Sequence, residues 1–397
     1  MTLDRLVLIP LAVGHVALFV LVVNVVHGLG YDERVMARTK VWLVVLFVVG
    51  SSILGWQIVE GSAWSWPWPF LLYSGLCVVM GVLLVPLFSA YLHLRPRPEG
   101  LDGRTTEVDL AAAHGRDRLI GPGRHAWMLH LPGNESLRLR RVDWDVALPD
   151  LPPALDGFSL LHLSDLHLAR CFDRRFFEAV FDEAAGMDAD LVLVTGDLID
   201  DDVHDWLTPL FARLKGRSGS FAILGNHDYK HQPDRVLHAV EAAGYVHLEG
   251  RWATVGHGGA TVVLGGTSHP WGPKLDLEAR PPGGDYGILL SHAPDAFYWA
   301  ERSGFDLMLS GHNHGGQVRL PLVGSVFMPS RYSRRFDRGF FRRRGLTLHV
   351  SQGVGSMHPI RYGCVPEVGR LFLRAFRNGA GERSPALNDI SRFRILR

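Results

Sequence analysis

Three long apolar runs fill most of the first 92 residues, and they constrain this chain more than any other feature. They are "LVLIPLAVGHVALFVLVVNVV" (6–26), "VWLVVLFVVGSSILGWQIV" (41–59) and "FLLYSGLCVVMGVLLVPLFSAYL" (70–92). A helix of about 20 residues crosses a hydrocarbon layer of roughly 30 Å. One such run alone reads as a helix buried in a large core; three in succession argue against that. A cleaved signal peptide also fits poorly, because the first run is long, two more follow, and no A-x-A-like site closes it. The expectation is a three-helix transmembrane region over residues 1–92.

Loop charges give the expected orientation. "YDERVMARTK" (31–40) carries Arg34, Arg38 and Lys40, and "HLRPRPEGLDGR" (93–104) is basic again. Between them, "EGSAWSWPWP" (60–69) has three tryptophans and neither lysine nor arginine. Basic loops stay on the cytoplasmic side. The first loop and everything after Leu92 are therefore expected in the cytoplasm, with the chain multi-pass in the inner (cytoplasmic) membrane; Arg5 is a lone contrary charge. His15, Asn24 and Glu60 lie in or beside the spans. They are too few to pattern a pathway, so helix–helix hydrogen bonding is expected of them.

At 397 residues the chain exceeds one ordinary core. A net charge of +1 gives no reason to expect a nucleic acid. Cys77, Cys171 and Cys364 are scattered, so neither a disulfide framework nor a thiolate zinc site is expected. Residues 93–136, rich in Pro, Gly and Arg, read as a linker with a short helix near 107–113. The texture changes at 137. "LRLRRVDWDVAL" (137–148) alternates like a half-exposed strand, and short apolar runs follow: "FSLLHL", "DLVLV", "FAIL", "ATVVLGG", "YGILL", "FDLML", "LTLHV" and "GRLFL". Helical patterns are interleaved at 174–187, 234–244 and 295–304; in the first, Phe177, Val180, Phe181 and Ala184 share a face. This is the pattern of an α/β domain of layered sheets and outer helices, over 137–376. Residues 377–397 read as a disordered basic tail.

Metal-binding side chains directly follow the strands: Asp165 and His167, Asp197, Asn226 and His227, His292, and finally His312 and His314. Ligand sites of α/β sheets form beyond the carboxyl ends of strands, so five strand ends are expected to converge. Gly196, Gly225 and Gly311 precede three of the clusters, where close backbone approach is needed. Imidazole and carboxylate without thiolate suit Mn²⁺ first, with Fe or Zn²⁺ also fitting. Seven donors exceed the need of one open ion and suit two, about 3.5–4 Å apart with a shared carboxylate. His312 and His314 are expected to point the same way from an extended segment, each toward a different ion.

The blocks "SDLH", "GDLID", "GNHD", "SHAPD" and "GHNHGGQ", in that order, resemble those of the calcineurin-like metallophosphoesterase superfamily, and the resemblance covers about 158–374. "SHAPDAF", "LSGHNHGGQVRLP", "SQGVGS" and "PIRYGCVPEVGRLFL" resemble its membrane-linked, YkuE-like branch, which includes UDP-diacylglucosamine pyrophosphatase-like enzymes. The resemblance implies a layered α-β-β-α sandwich and two divalent metal ions. It implies that Asp165, His167 and His314 hold one ion, that Asn226, His292 and His312 hold the other, and that Asp197 bridges. It implies that His227 faces the scissile phosphate as general acid, or donates to the charge that develops on it, and that Asp228 orients it. Asn313 stands where the family usually has Thr, and Gln352 where an arginine is common; both bear on substrate choice.

Other candidates are weighed on pattern alone. Asp200 is expected to hold a loop, His162 to sit satisfied in the core, and His269 is a candidate pocket residue. His204, His231, His238, His247, His257 and His349 are expected to be structural or exposed. "RYSRRFDRGFFRRR" (331–344) interleaves seven arginines with Phe336, Phe340 and Phe341. It reads either as a lip that grips membrane lipids and a lipid-linked phosphate through Arg342 and Arg343, or as a solvated hairpin whose aromatic residues face the core. The expected function is hydrolysis of a lipid-linked phosphate or diphosphate at the membrane. The alternatives are a nuclease or cyclic-nucleotide phosphodiesterase, and a non-enzymatic membrane scaffold that retains the fold.

Overall fold

The computed structural model describes residues 3–29, 33–60 and 67–376; the tail expected at 377–397 lies outside them. The three apolar runs form helices α1 (Leu3–His27), α2 (Glu33–Glu60) and α3 (Trp68–Leu94). All three contain segments long and apolar enough to cross a membrane, with mean hydropathies of 2.4, 1.7 and 2.3. Their outward faces are apolar, with Trp42 66% and Leu46 63% exposed, as suits a hydrocarbon rather than an aqueous surround. In α3 the backbone widens into a π turn over Met80–Leu84, just before Pro86, whose ring denies the helix a donor. His15 ties the helices together through Tyr73 of α3 and Ser51 of α2.

The rest of the chain is built on two sheets. The first runs, in spatial order, β1 (Leu101–Asp109), β2 (Arg138–Leu148), β15 (Glu367–Ala375), β3 (Ser159–Leu163), β4 (Leu191–Thr195), β5 (Gly219–Ile223) and β6 (Val246–His247). The second runs β13 (Gly339–Arg343), β14 (Leu346–Val350), β10 (Leu307–Ser310), β9 (Tyr286–Ser291), β8 (Ala260–Thr267) and β7 (Trp252–His257). A two-stranded ribbon, β11 (Arg319–Leu320) with β12 (Gly324–Ser325), stands apart. The neighbouring strands β3, β4 and β5 are parallel, as are β8, β9, β10 and β14.

Alternation along the strands decides the layers. Leu160, Leu191, Leu193 and Ile223 face Val262, Leu264, Ile288 and Leu309 across the gap between sheets. Leu161, Leu163 and Val194 face the other way, onto Phe177, Phe181 and Phe211 of the helices Arg174–Ala185 and His204–Phe211. The second sheet is covered by Phe297 and Ala300 of Phe297–Arg302. The result is the expected α-β-β-α sandwich. Strands buried on both faces read as near-continuous apolar runs, which is why they stand out in the sequence.

The segment read as a linker, 93–136, is mostly ordered. Leu101–Asp109 pairs along its whole length with β2 as an edge strand, and Asp109 then caps the short helix Leu110–His114 by accepting from the Ala112 N–H. The strand's exposed, polar character hid it: edge strands carry charge that discourages further pairing.

Asn24 does not bond another helix. Its Oδ1 accepts from Met328 N at 2.9 Å, and its Nδ2 donates to Val326 O and Ser333 Oγ, both at 3.2 Å. Arg331 Nε donates to Gly28 O, while Arg95, just beyond α3, lies 3.5 Å from Asp337 and 4.2 Å over the Phe341 ring. The end of α1 and the end of α3 thus both rest on the 326–341 segment. The side chain of Glu60 lies outside the described residues.

Candidate metal centre

The five polar clusters do converge. They leave the ends of β3, β4 and β5 in one sheet and β9 and β10 in the other. Reaching a common centre bends the backbone hard: Asp165, His167, Asp197, His312 and His314 all adopt left-handed φ, between 44° and 67°. Such conformations are rare for residues with side chains and concentrate at functional sites. The expected extended segment at 312–314 is therefore a correction. His312 and His314 are left-handed and Asn313 between them is helical. That twist lets His312 present Nδ1 and His314 present Nε2. The glycines serve close approach. A Cβ on Gly225 would lie 2.2 Å from Asp197 Oδ1, and one on Gly311 would lie 2.1 Å from Asp165 Oδ2.

Two groups of donors result. In the first, His167 Nε2 and His314 Nε2 are 3.0 Å apart, with Asp165 Oδ1 3.4 Å from the latter. In the second, His292 Nε2 lies 3.1 Å from both Asn226 Oδ1 and His312 Nδ1. Asp197 Oδ2 joins them, at 3.5 Å from His167 Nε2 and 3.3 Å from His292 Nε2. All are buried except Asn226 and His314, which are half-buried.

The donor set fits a pair of divalent cations. An imidazole offers a lone pair at one nitrogen when the other gives its proton to an acceptor. His167 Nδ1 faces Asp200 at 2.8 Å, His292 Nδ1 faces Thr195 O at 2.8 Å, and His312 Nε2 faces Pro329 O at 2.7 Å. Each therefore aims a lone pair into the centre. His314 differs: its Nδ1 faces a donor, Arg361 Nη2, at 3.4 Å.

Electrostatics follow from burial and crowding. Burial, then the neighbouring His292, pulls His312 down to about 3. His314 is pulled well below the usual imidazole range by burial, then by His167 and Arg361. Burial would lower His167 and His292 too, but it is outweighed by Asp200 for the first and Asp197 for the second, and both are held up at about 9. Burial raises Asp165; Asp197 stays well below the usual carboxylate range because His292 and His227 outweigh its burial. Positive charge is thus drawn to one point in each donor group, where dications compete with protons.

His227 stands at the edge, its side chain 18% exposed. Its partner corrects the expectation. Nδ1 is bonded to Asp200, not Asp228. Asp228 is turned inward, accepting the backbone N–H of Gly225 at 2.7 Å, Leu198 at 2.8 Å and Ile199 at 3.0 Å. A carboxylate one residue along from the imidazole closes its own turn more readily than it reaches the ring. Burial, then Asp197, pushes Asp228 up to about 8. Asp200 is held well below the usual range because His167 and His227 outweigh its burial.

Arg342 and Arg343 are not brought to this centre. They pair with Thr347 and Leu346 at the start of β14, whose register with β10 puts them at the end opposite His312. Arg342 donates to Thr347 Oγ1, Glu99 O and Ala147 O, and Arg343 pairs with Glu301 at 3.0 Å. The arginine that does lie beside the donors is Arg361, fully buried against His314 and donating to Gln352 O and Gly355 O. Gln352, in turn, accepts from Arg338 at 2.6 Å, and Asn313 Nδ2 donates to Phe336 O at 2.7 Å. His269 is exposed; two residues on, Trp271 packs 5.0 Å from the His312 ring. His162 and His349 form a buried pair at 2.9 Å, and His204 is buried between Asp202 and His231 O.

Residues 158–316 match the family described as calcineurin-like phosphoesterase. The chain is similar to the uncharacterized metallophosphoesterase YkuE of Bacillus subtilis, 28% identical over 228 residues, covering 55% of this chain and 79% of that one. It is similar to the phosphodiesterase YaeI of Escherichia coli, 29% identical over 226 residues, covering 54% and 82%. It is also similar to the UDP-2,3-diacylglucosamine pyrophosphatase LpxG of Chlamydia trachomatis, 24% identical over 300 residues, covering 61% and 90%. The ordered blocks, the two facing sheets and the matched segment agree: this chain carries a calcineurin-like metallophosphoesterase domain and is a metal-dependent phosphoester hydrolase.

Proposed function

We propose that this protein is a membrane-anchored dimetal phosphoesterase that cleaves a lipid-linked phosphate or diphosphate at the cytoplasmic face of the inner membrane. The observation that carries the reading is the join between helices and site. Asn24 and Gly28 of the α1 end bond the loop 326–331, and Pro329 O in that loop accepts from His312 Nε2 at 2.7 Å. A chain anchored by α1–α3 therefore keeps its hydrolytic centre beside the bilayer. The ends of α1 and α3 meet the same segment, which supports the first loop and the phosphoesterase domain lying on one side, as the basic loops favour.

In this reading Asp165, His167, His314 and Asp197 hold one cation, and Asp197, Asn226, His292 and His312 hold the other, manganese being the first choice. When bound, the pair supplies Lewis acidity toward the phosphoryl group and an acidified water. His227, oriented by Asp200, gives its proton to the leaving oxygen. LpxG's name, a pyrophosphatase of a diacylated sugar nucleotide, favours a nucleotide–lipid diphosphate; YaeI's keeps a simpler phosphodiester as the second reading.

The test is turnover by the detergent-purified full chain with Mn²⁺, comparing UDP-2,3-diacylglucosamine, a phospholipid monoester and bis(p-nitrophenyl) phosphate. Cleavage of an acylated substrate supports the lipid reading, and cleavage of the chromogenic diester alone refutes it. A chain inert toward all three also overturns the lipid reading. His227→Ala is expected to lower kcat by about 10²–10⁴; unchanged turnover overturns its role.

A further inference from the structure

A cavity of about 920 Å³ lies where α1 and α3 meet the phosphoesterase domain. Val16 and Val20 of α1, Leu84 and Phe88 of α3, and Val323 and Val326 of the domain form its apolar walls. Its polar lining is confined to Asn24 and the short stretch Arg331–Arg334 with Tyr91. None of these residues belongs to the metal centre.

Three observations say what it takes. Two walls are helices apolar enough to lie in a bilayer, so the cavity meets hydrocarbon, where a peptide segment would strand its backbone polar groups and a flexible chain strands none. The domain end is cationic. Arg334 donates to Val323 O and Ser325 O, neutral carbonyls that leave its charge in place, while Arg331 donates to Gly28 O and its charge is partly offset by Asp295, which accepts from the Arg331 backbone N–H at 2.9 Å. Asp337, the carboxylate beside Arg334, is already shared by Arg95 at 3.5 Å and Arg319 at 3.0 Å. A guanidinium so placed suits a phosphate. Finally, the wall is continuous with the site. The strand of chain from Val326 to Arg331 includes Pro329, whose carbonyl fixes His312.

We propose that this cavity holds an acyl chain of a membrane phospholipid-like substrate, with its phosphate-bearing head over Arg331 and Arg334, one short loop from the metal centre. The inference rests on the lipid reading above and deepens it by placing the chain. It assigns to α1 and α3 a role in recognition as well as anchoring. Substrate enters sideways from the bilayer, tail first along the helices, and the arginines steer its head toward the metal centre.

The test uses the full chain in phosphatidylcholine vesicles containing phosphatidic acid with a diazirine on its acyl chain. After photolysis, peptides are mapped by mass spectrometry. Enrichment of label on 12–25, 80–91 and 320–326 is expected. Label spread equally over the outward face of α2, at Val41, Val45 and Val49, would mean annular lipid and overturn the proposal. A second arm fills the cavity with Val20→Trp or Val323→Trp and compares kcat/KM for an acylated phosphate with that for bis(p-nitrophenyl) phosphate. The ratio is expected to fall at least about tenfold. An unchanged ratio in an enzyme that still cleaves the acylated substrate defeats the cavity assignment alone. A wild-type chain that cleaves the chromogenic diester but no acylated phosphate defeats the lipid reading beneath it.

Discussion

Asp200→Asn isolates the step the sequence placed on the wrong residue. Asp200 is a nearly buried carboxylate that accepts from two imidazoles, His167 at 2.8 Å and His227. An amide of the same shape can accept from one of them but turns an N–H toward the other. If His167 loses its acceptor, its proton moves to Nε2, the atom that meets His314 and Asp197, and the lone pair leaves the centre. Loss of such an orienting partner costs about 10–100-fold in metal affinity or activity. If His227 loses its acceptor, the ring adopts the wrong tautomer for proton donation, an error that costs about 10⁴ in the serine-protease triad. The expected fall in kcat toward bis(p-nitrophenyl) phosphate at saturating Mn²⁺ is therefore between about 10² and 10⁴. Calorimetric titration of Mn²⁺ separates the contributions: weakened binding reports on His167, and intact binding with lost turnover reports on His227. Asp228→Asn is the contrast, because it sets an amide N–H against a backbone N–H and should lower Tm through a lost buried bond worth about 1–3 kcal/mol. Asp200→Asn within threefold of wild type, with unchanged Mn²⁺ affinity, would refute the assignment.

Three further outcomes follow from single contacts. Asn24→Leu strands the Met328 N–H and frees the loop that fixes His312; Mn²⁺ affinity should fall up to about tenfold by titration, while Asn24→Asp, which keeps the Met328 acceptor, should retain more of it. Gly225→Ala drives a methyl to 2.2 Å from Asp197 Oδ1; since misplacement of about 1 Å can cost 10²-fold, kcat should drop by about that factor with circular dichroism unchanged. Asp190 accepts from Ser159 N, Ser159 Oγ and Arg217, and these outweigh its burial to hold it below the usual range. A depressed carboxylate stabilises the fold above its unfolded pKa of about 3.9 and loses that contribution as pH falls through its folded value. Asp190→Asn should therefore lower Tm at pH 7, and the difference should shrink toward zero as the pH drops below about 4.

How much was legible depended on the physics of each part. The helices announce themselves because length and apolarity come together in each of them, as a bilayer span would require. Strands such as Leu191–Thr195 do so because burial on both faces leaves a nearly unbroken apolar run. Donor types could be read from sequence because the chemistry restricts them to histidine, aspartate and asparagine at strand ends. What failed was direction. Nothing in "GNHD" says that Asp228 turns back onto Gly225 while Asp200, 27 residues earlier, reaches the ring. The arginine-rich stretch 331–344 divided the same way: its hairpin reading holds, with Phe336, Phe340 and Phe341 buried, and its grip reading does not. Composition suggested a phosphate grip at Arg342 and Arg343, but strand register sent those two to the far end of β14. Arg331 and Arg334, with the same composition, lie beside α1 and α3. Asn24 was legible as a polar group in a candidate membrane span, but its partners lie some 300 residues away, where no local pattern can point.

The deeper regularity is that the centre is shaped by backbone before any side chain acts. Five of its residues hold left-handed φ, each at a cost of order 1 kcal/mol. They tolerate it because the chain keeps its hydrogen bonds past the strand ends. Asp165 N donates to Gly196 O at 2.9 Å, His167 N to Asp197 O at 2.9 Å, and Gly311 N to His292 O at 3.0 Å. These extend the strand pairings into the turns and fasten them to the fully buried strands behind. Side chains are then aimed by groups belonging to the fold, such as Thr195 O and Pro329 O, rather than by whatever they bind. Removing a donor side chain should thus delete chemistry and leave the sandwich standing. Altering Gly225 or Gly311 should leave every donor in the sequence and still misplace them, because the geometry is held by the backbone those glycines bring together.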